Sequence, residues 1–91
     1  MLERTRGKNA TEVTFLLPAD HPHGQVSVVG DFNDWTPGAH PLAPREDGMR
    51  SVSVTIPAET RVRFRYLAED GLWFDELEAD GHDGTNGYLH T

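Results

Sequence analysis

The chain has 91 residues and no cysteine, a length that makes one small domain and a composition that excludes a disulfide scaffold, a thiolate metal site and a cysteine nucleophile. Fifteen acidic against eight basic residues leave a formal net charge of −7, which argues against a polyanionic partner such as nucleic acid, whose phosphates need a basic face.

Apolar residues recur with period two and no long window keeps a helical period, so the chain reads as strand throughout. Thr11 to Leu17 puts Val13, Phe15 and Leu17 on one face before Pro18 stops it. Asp20-His21-Pro22-His23-Gly24 is turn chemistry, and Gln25 to Val29 follows as a second strand. Arg50 to Ile56 alternates Val52, Val54 and Ile56 inward with Ser51, Ser53 and Thr55 outward. In Arg61 to Ala68 the buried row is Val62, Phe64 and Tyr66, and the outer row is Arg61, Arg63 and Arg65. Leu72 to Asp75 and Gly87 to His90 make two more short strands. About six to eight short strands at this spacing predict an all-β sandwich. One domain is expected over 1–91, ordered from about residue 10 to 89, with fraying ends. The longest apolar run, Phe15-Leu16-Leu17, is far below the roughly 18 residues of a membrane span, and no apolar stretch follows the basic amino terminus. The chain therefore reads as cytoplasmic, with no membrane partner.

The chemistry concentrates in two places. In Val28-Val29-Gly30-Asp31-Phe32-Asn33-Asp34-Trp35-Thr36-Pro37-Gly38 a strand runs into a Gly, Asp and Asn turn that presents an indole among polar neighbours. In Glu69-Asp70-Gly71-Leu72-Trp73-Phe74-Asp75 a second tryptophan follows a glycine turn. Two indoles at strand ends suit sugars, whose C–H faces stack on flat rings while their hydroxyls hydrogen-bond around the edge; a neutral glycan needs no basic patch. The bland alternative is that either tryptophan packs inside.

Other constellations carry less. The acidic residues Glu69, Asp70, Asp75, Glu76, Glu78, Asp80 and Asp83, with no base among them, read as a solvated rim rather than a cation site. The histidines at 21, 23, 40, 82 and 90 match no ligand spacing and read as solvated. A calcium loop counted from Glu76 would place Gly87 where a bidentate carboxylate is needed. No Gly-rich phosphate loop or nucleophile elbow is present, and a paired-carboxylate hydrolase needs a walled cleft that so small a sandwich seldom builds. No enzyme activity, metal or cofactor is expected.

Gly30-Asp31-Phe32-Asn33-Asp34-Trp35, then Arg63-Phe64-Arg65-Tyr66 with Asp70-Gly71-Leu72-Trp73, then Gly84-Thr85-Asn86, resemble the family-48 carbohydrate-binding modules. These include the glycogen-binding module of the AMP-activated kinase β subunit and the early-set domains at the amino end of isoamylases and branching enzymes. The resemblance runs from about Val13 to Leu89 and implies an immunoglobulin-like sandwich that binds α-1,4-glucan without catalysis. It implies that Trp35 and Trp73 are the stacking rings, that Arg65 stands where the kinase module has a hydrogen-bonding lysine, and that Asn86 bonds sugar hydroxyls. Gly84-Thr85-Asn86-Gly87 is one residue shorter between Thr and Asn than the kinase module, and Phe32 reads as an inward anchor of its turn. The alternative function is a regulatory sandwich that docks a glycogen-metabolising enzyme in trans through its arginine face or strand edges, without binding sugar.

Overall fold

A computed structural model describes residues 1–18 and 24–91; the turn expected over 20–23 lies outside the described residues. Two antiparallel sheets face each other. The first has the order β1 (Leu2–Arg6), β2 (Ala10–Pro18), β5 (Met49–Pro57), β4 (Ala43–Pro44). The second has β3 (Val26–Gly30), β6 (Arg61–Ala68), β9 (Gly87–His90), β8 (Gly81–His82), with β7 (Trp73–Phe74) also paired to β6. The all-β sandwich predicted from alternation is therefore what forms.

The period of two decides what lies inside, because successive side chains leave a strand on opposite faces. From the first sheet Val13, Phe15 and Leu17 of β2 and Val54 and Ile56 of β5 point inward. They meet Val26 and Val28 of β3, the even residues Val62, Phe64, Tyr66 and Ala68 of β6, and Leu89 of β9. Phe15 is the hub, with ring centroids 5.1 Å from Phe64, 5.8 Å from Phe32 and 6.4 Å from Tyr66. Phe32 thus anchors its turn on the core, as its position in the sequence suggests.

Nine strands form among the described residues where six to eight were expected, and the differences sit at edges. Leu2–Arg6 was expected to fray but pairs along β2, from Leu2 opposite Phe15 to Arg6 opposite Thr11. Its apolar content is slight; what orders it is the row of backbone donors and acceptors that β2 would otherwise leave open. β4 and β8 are two residues each, too short to show any period. At the other end, Thr91 is held by its backbone N–H and its hydroxyl, both donating to the Thr60 carbonyl. No helix among the described residues is long and apolar enough to cross a membrane.

Candidate functional site

The face of the second sheet turned away from the core carries the chemistry. The alternation that buries the even residues of β6 sends Arg61, Arg63, Arg65 and Leu67 outward. Register then fixes their neighbours on that face: Val29 and Ser27 of β3 lie opposite Arg65 and Leu67, Tyr88 and His90 of β9 opposite Arg63 and Arg61, and Trp73 of β7 opposite Leu67 on the other side.

Trp35 reaches this face through a tightly built turn. A Cβ on Gly30 would strike the carbonyl oxygen of Arg63 and come within 2.9 Å of Phe64 and Phe32, so only glycine lets β3 run so close to β6. The chain then makes a single 3-10 turn at Asp31–Asn33. The Asn33 amide fastens it, accepting from the Gly30 N–H at 3.0 Å and donating to the Val28 carbonyl at 3.1 Å; His40 Nδ1 lies 2.9 Å from the same nitrogen. Asp34 and Trp35 both follow in the left-handed region, at φ 55° and 56°, where a bulky aromatic is a true outlier that persists only when its surroundings hold it. The holding group is Asp31. Its Oδ1 accepts from the Trp35 indole N–H at 2.9 Å, and its Oδ2 from the Arg63 backbone N–H at 2.8 Å. Burial alone would raise the Asp31 pKa, but the bonds from Arg63 and Trp35 outweigh it and hold the carboxyl below its ordinary value.

Trp73 stands at the opposite side of the arginine row. It is 39% exposed, and the Arg65 guanidinium carbon lies 5.9 Å from its ring centroid. Arg65 is aimed by Asp75: its Nε donates to Oδ1 at 3.0 Å. The other oxygen of Asp75 lies 3.2 Å from His82 Nε2, while His82 Nδ1 accepts from the Gly84 N–H at 3.0 Å, which puts the neutral ring's proton on Nε2. The loop beyond is closed by Asp83, whose Oδ1 takes the N–H groups of Thr85 and Asn86 at 2.9 and 2.7 Å. Those backbone donors hold Asp83 below the usual carboxylate range.

Of the four residues singled out from sequence, Trp73 and Arg65 lie side by side, the guanidinium carbon 5.9 Å from the ring centroid. Trp35 joins them through Asp31 and Arg63, the outward neighbour of Arg65 on β6. Asn86 precedes β9: the ladder ends at Phe64 opposite Gly87, and one further step of that register would set Asn86 level with Arg65. Sequence reasoning missed Asp31, Asp75 and His82. The only available signals were an acid four residues before Trp35 and another two residues after Trp73. The acidic segment is also no simple solvated rim. Asp75 bonds Arg65, Glu76 is buried and accepts from the Tyr66 hydroxyl at 2.7 Å, and Asp80 takes a two-pronged contact from Arg4 at 2.7 and 3.0 Å. Nor are His40 and His82 merely solvated, since each holds a loop. No group of three or more metal-ligating side chains occurs among the described residues.

No family model matches the chain. It is 46% identical over 53 residues, 55% of its length, to the 1,4-alpha-glucan branching enzyme GlgB 2 of Xanthomonas campestris pv. campestris, covering 7% of that protein. It is 36% identical over 52 residues to the 1,4-alpha-glucan branching enzyme GlgB of Aquifex aeolicus, 55% of the chain and 8% of that protein. Against the 1,4-alpha-glucan-branching enzyme of Solanum tuberosum it is 32% identical over 59 residues, 57% of the chain and 7% of the enzyme. The matched part of the chain thus spans less than a tenth of the length of these curated relatives.

Proposed function

We propose that this chain is a non-catalytic α-glucan-binding domain of the family-48 type. Trp35 and Trp73 would serve as stacking platforms, and Arg65 and Asn86 would donate to sugar hydroxyls. The observation that carries the reading is that Trp73 lies beside Arg65 while Trp35 is tied through Asp31 to Arg63, the next outward arginine of the same strand. Such an arrangement matches a glucan, which offers an apolar ring surface bordered by hydroxyls and no charge. A guanidinium brings several donors in a rigid fork to those hydroxyls. The similarity to enzymes named for acting on 1,4-alpha-glucan supports the choice of sugar. Affinity is modest, because a stacked ring and a solvent-exposed hydrogen bond each contribute only about 0.5–1.5 kcal/mol.

The test is a titration of isotopically labelled protein with maltoheptaose, followed through the two indole N–H signals. Joint, saturable shifts of both indoles and of the amides around Arg65 and Asn86 are expected. Unmoved indoles at millimolar sugar would sink the reading.

One observation favours a second reading, a sandwich that docks a glucan-metabolising enzyme without binding sugar: Leu77, on the loop after β7, is 98% exposed, with the half-covered Leu72 and Trp73 elsewhere on the surface. Association with such an enzyme that is abolished by Leu77→Asp, in a protein whose indoles ignore maltoheptaose, would select it.

A further inference from the structure

Beside the tryptophan and arginine site the same sheet face holds a groove of about 480 Å³, lined by Gln25, Ser27, Pro37, Pro41, Leu67 and Glu69 among others. Its size is within the roughly 300–1,000 Å³ range of small-molecule sites. Ser27 and Leu67 are direct partners across the β3 and β6 ladder, and Trp73 is the partner of Leu67 on its far side. Ser27, Leu67 and Trp73 therefore form one row across three strands, about two strand spacings or roughly 10 Å long. The segment after Trp35 folds back along the free edge of β3, with Pro41 bridged to Ser27 and the Val28 N–H donating to the His40 carbonyl at 3.0 Å. This return brings Pro37 and Pro41 alongside the groove.

The lining has two chemistries. Leu67, Pro37 and Pro41 are apolar, while Ser27, Gln25 and Glu69 are polar. Ser27 is only 8% exposed, and its hydroxyl has no hydrogen-bond partner among the described residues. The oxygen is not among the fully buried side-chain atoms left without a partner, so it is open to the groove and free to bond a ligand hydroxyl.

We propose that this groove is an additional subsite that takes a further pyranose of the glucan chain whose neighbouring ring is stacked on Trp73. The ring's C–H face lies over Leu67 and the prolines, and a sugar hydroxyl bonds the Ser27 hydroxyl. Pyranose is the occupant because the groove borders Trp73 through Leu67 and its lining combines an apolar surface with uncharged and acidic hydrogen-bonding groups but no base. That lining suits a polyhydroxylated ring and would repel an anion. The subsite rests on the glucan-binding reading and extends it by making affinity depend on chain length.

The experiment compares maltotriose with maltoheptaose on the wild-type protein and on Ser27→Val, whose β-branched replacement suits strand β3. Both sugars should move the indole signals. Only maltoheptaose should also move the amides of Ser27, Leu67 and Gly38, and it should bind more tightly than maltotriose. In Ser27→Val, maltoheptaose should weaken about two- to tenfold, the worth of one hydrogen bond, while maltotriose binding stays unchanged. Amide mapping on the wild-type protein needs no variant, so a misfolded Ser27→Val leaves the test intact. Indole shifts with silent groove amides and equal affinity for the two sugars overturn the subsite and leave the glucan-binding reading standing. Silent indoles with both sugars overturn that reading and the subsite with it.

Discussion

Arg65 is oriented by Asp75 through one bond, Nε to Oδ1 at 3.0 Å, and its terminal Nη groups make no hydrogen bond among the described residues. The carboxylate therefore fixes the plane of the guanidinium beside Trp73 and leaves its outer donors available. Asp75→Ala should weaken maltoheptaose binding about three- to tenfold, the worth of one ordinary hydrogen bond from a guanidinium that is no longer held in place. It should change the melting temperature little, because partly exposed ion pairs contribute about 0–1 kcal/mol. The Arg65 Nε–H resonance, followed directly, should move to its solvent position in the variant. Unchanged affinity alongside a displaced resonance would mean that Arg65 does not meet the sugar.

The two tryptophans should respond differently to truncation. Trp73 is partly exposed on a two-residue edge strand, so Trp73→Ala should cost about two- to tenfold in affinity and leave the fold intact in a thermal melt. Trp35→Ala should lose affinity and also stability, by about 1–3 kcal/mol, because it strips a donor from the Asp31 carboxylate. Trp35→Phe separates the roles: it keeps a stacking ring, and so much of the binding, while retaining the stability loss.

Acid should loosen the sandwich through Asp31 and Asp80. The Arg4 guanidinium, with help from the His90 N–H, holds Asp80 below its ordinary value. Asp31 is also lowered, since Arg63 and Trp35 more than offset the opposing effect of burial. A carboxyl with a lower pKa folded than unfolded stabilises fully above its unfolded value, near 3.9, and loses that contribution as pH falls through the folded value. The melting temperature should hold steady down to about pH 5 and drop below about pH 4, with a shallower drop in Asp80→Asn. A melting temperature independent of pH between 5 and 3 would contradict the assignment.

Gly30→Ala should harm both stability and binding. Its backbone is extended, at φ −172°, so the harm comes from crowding and not from conformation: the new methyl meets the Arg63 carbonyl, which cannot swing away as a side chain can. Separation of β3 from β6 would shift the turn that carries Trp35. Thermal melts and the Trp35 indole shift in the free protein report the two effects.

Strands whose inward and outward residues differ in polarity were legible from sequence. Val13, Phe15 and Leu17, then Val52, Val54 and Ile56, then Val62, Phe64 and Tyr66 each announce one buried face. Leu2–Arg6 announced nothing, because its pairing is made by backbone groups that any sequence carries. The tryptophans and Arg65 were legible as candidates by their polar surroundings and by resemblance. Their supports were not. That Asp31 would grip the Trp35 indole and the backbone of β6, or that Asp75 would divide its oxygens between Arg65 and His82, depends on register between strands far apart in the chain. Composition showed a run of acids; only pairing across the sheet shows which of them hold cations and loops in place.

The left-handed backbone at Asp34 and Trp35 has a consequence for how the domain would hold a ligand. A residue kept in so sparsely populated a conformation by Asp31, Asn33 and the Phe32 anchor has already surrendered its freedom during folding. A sugar settling on Trp35 would find the ring immobile, and little further ordering of the protein would oppose the contact. Restraint built into the turn would let a few individually weak contacts add up to measurable affinity, and the entropy lost on binding would belong mainly to the glucan.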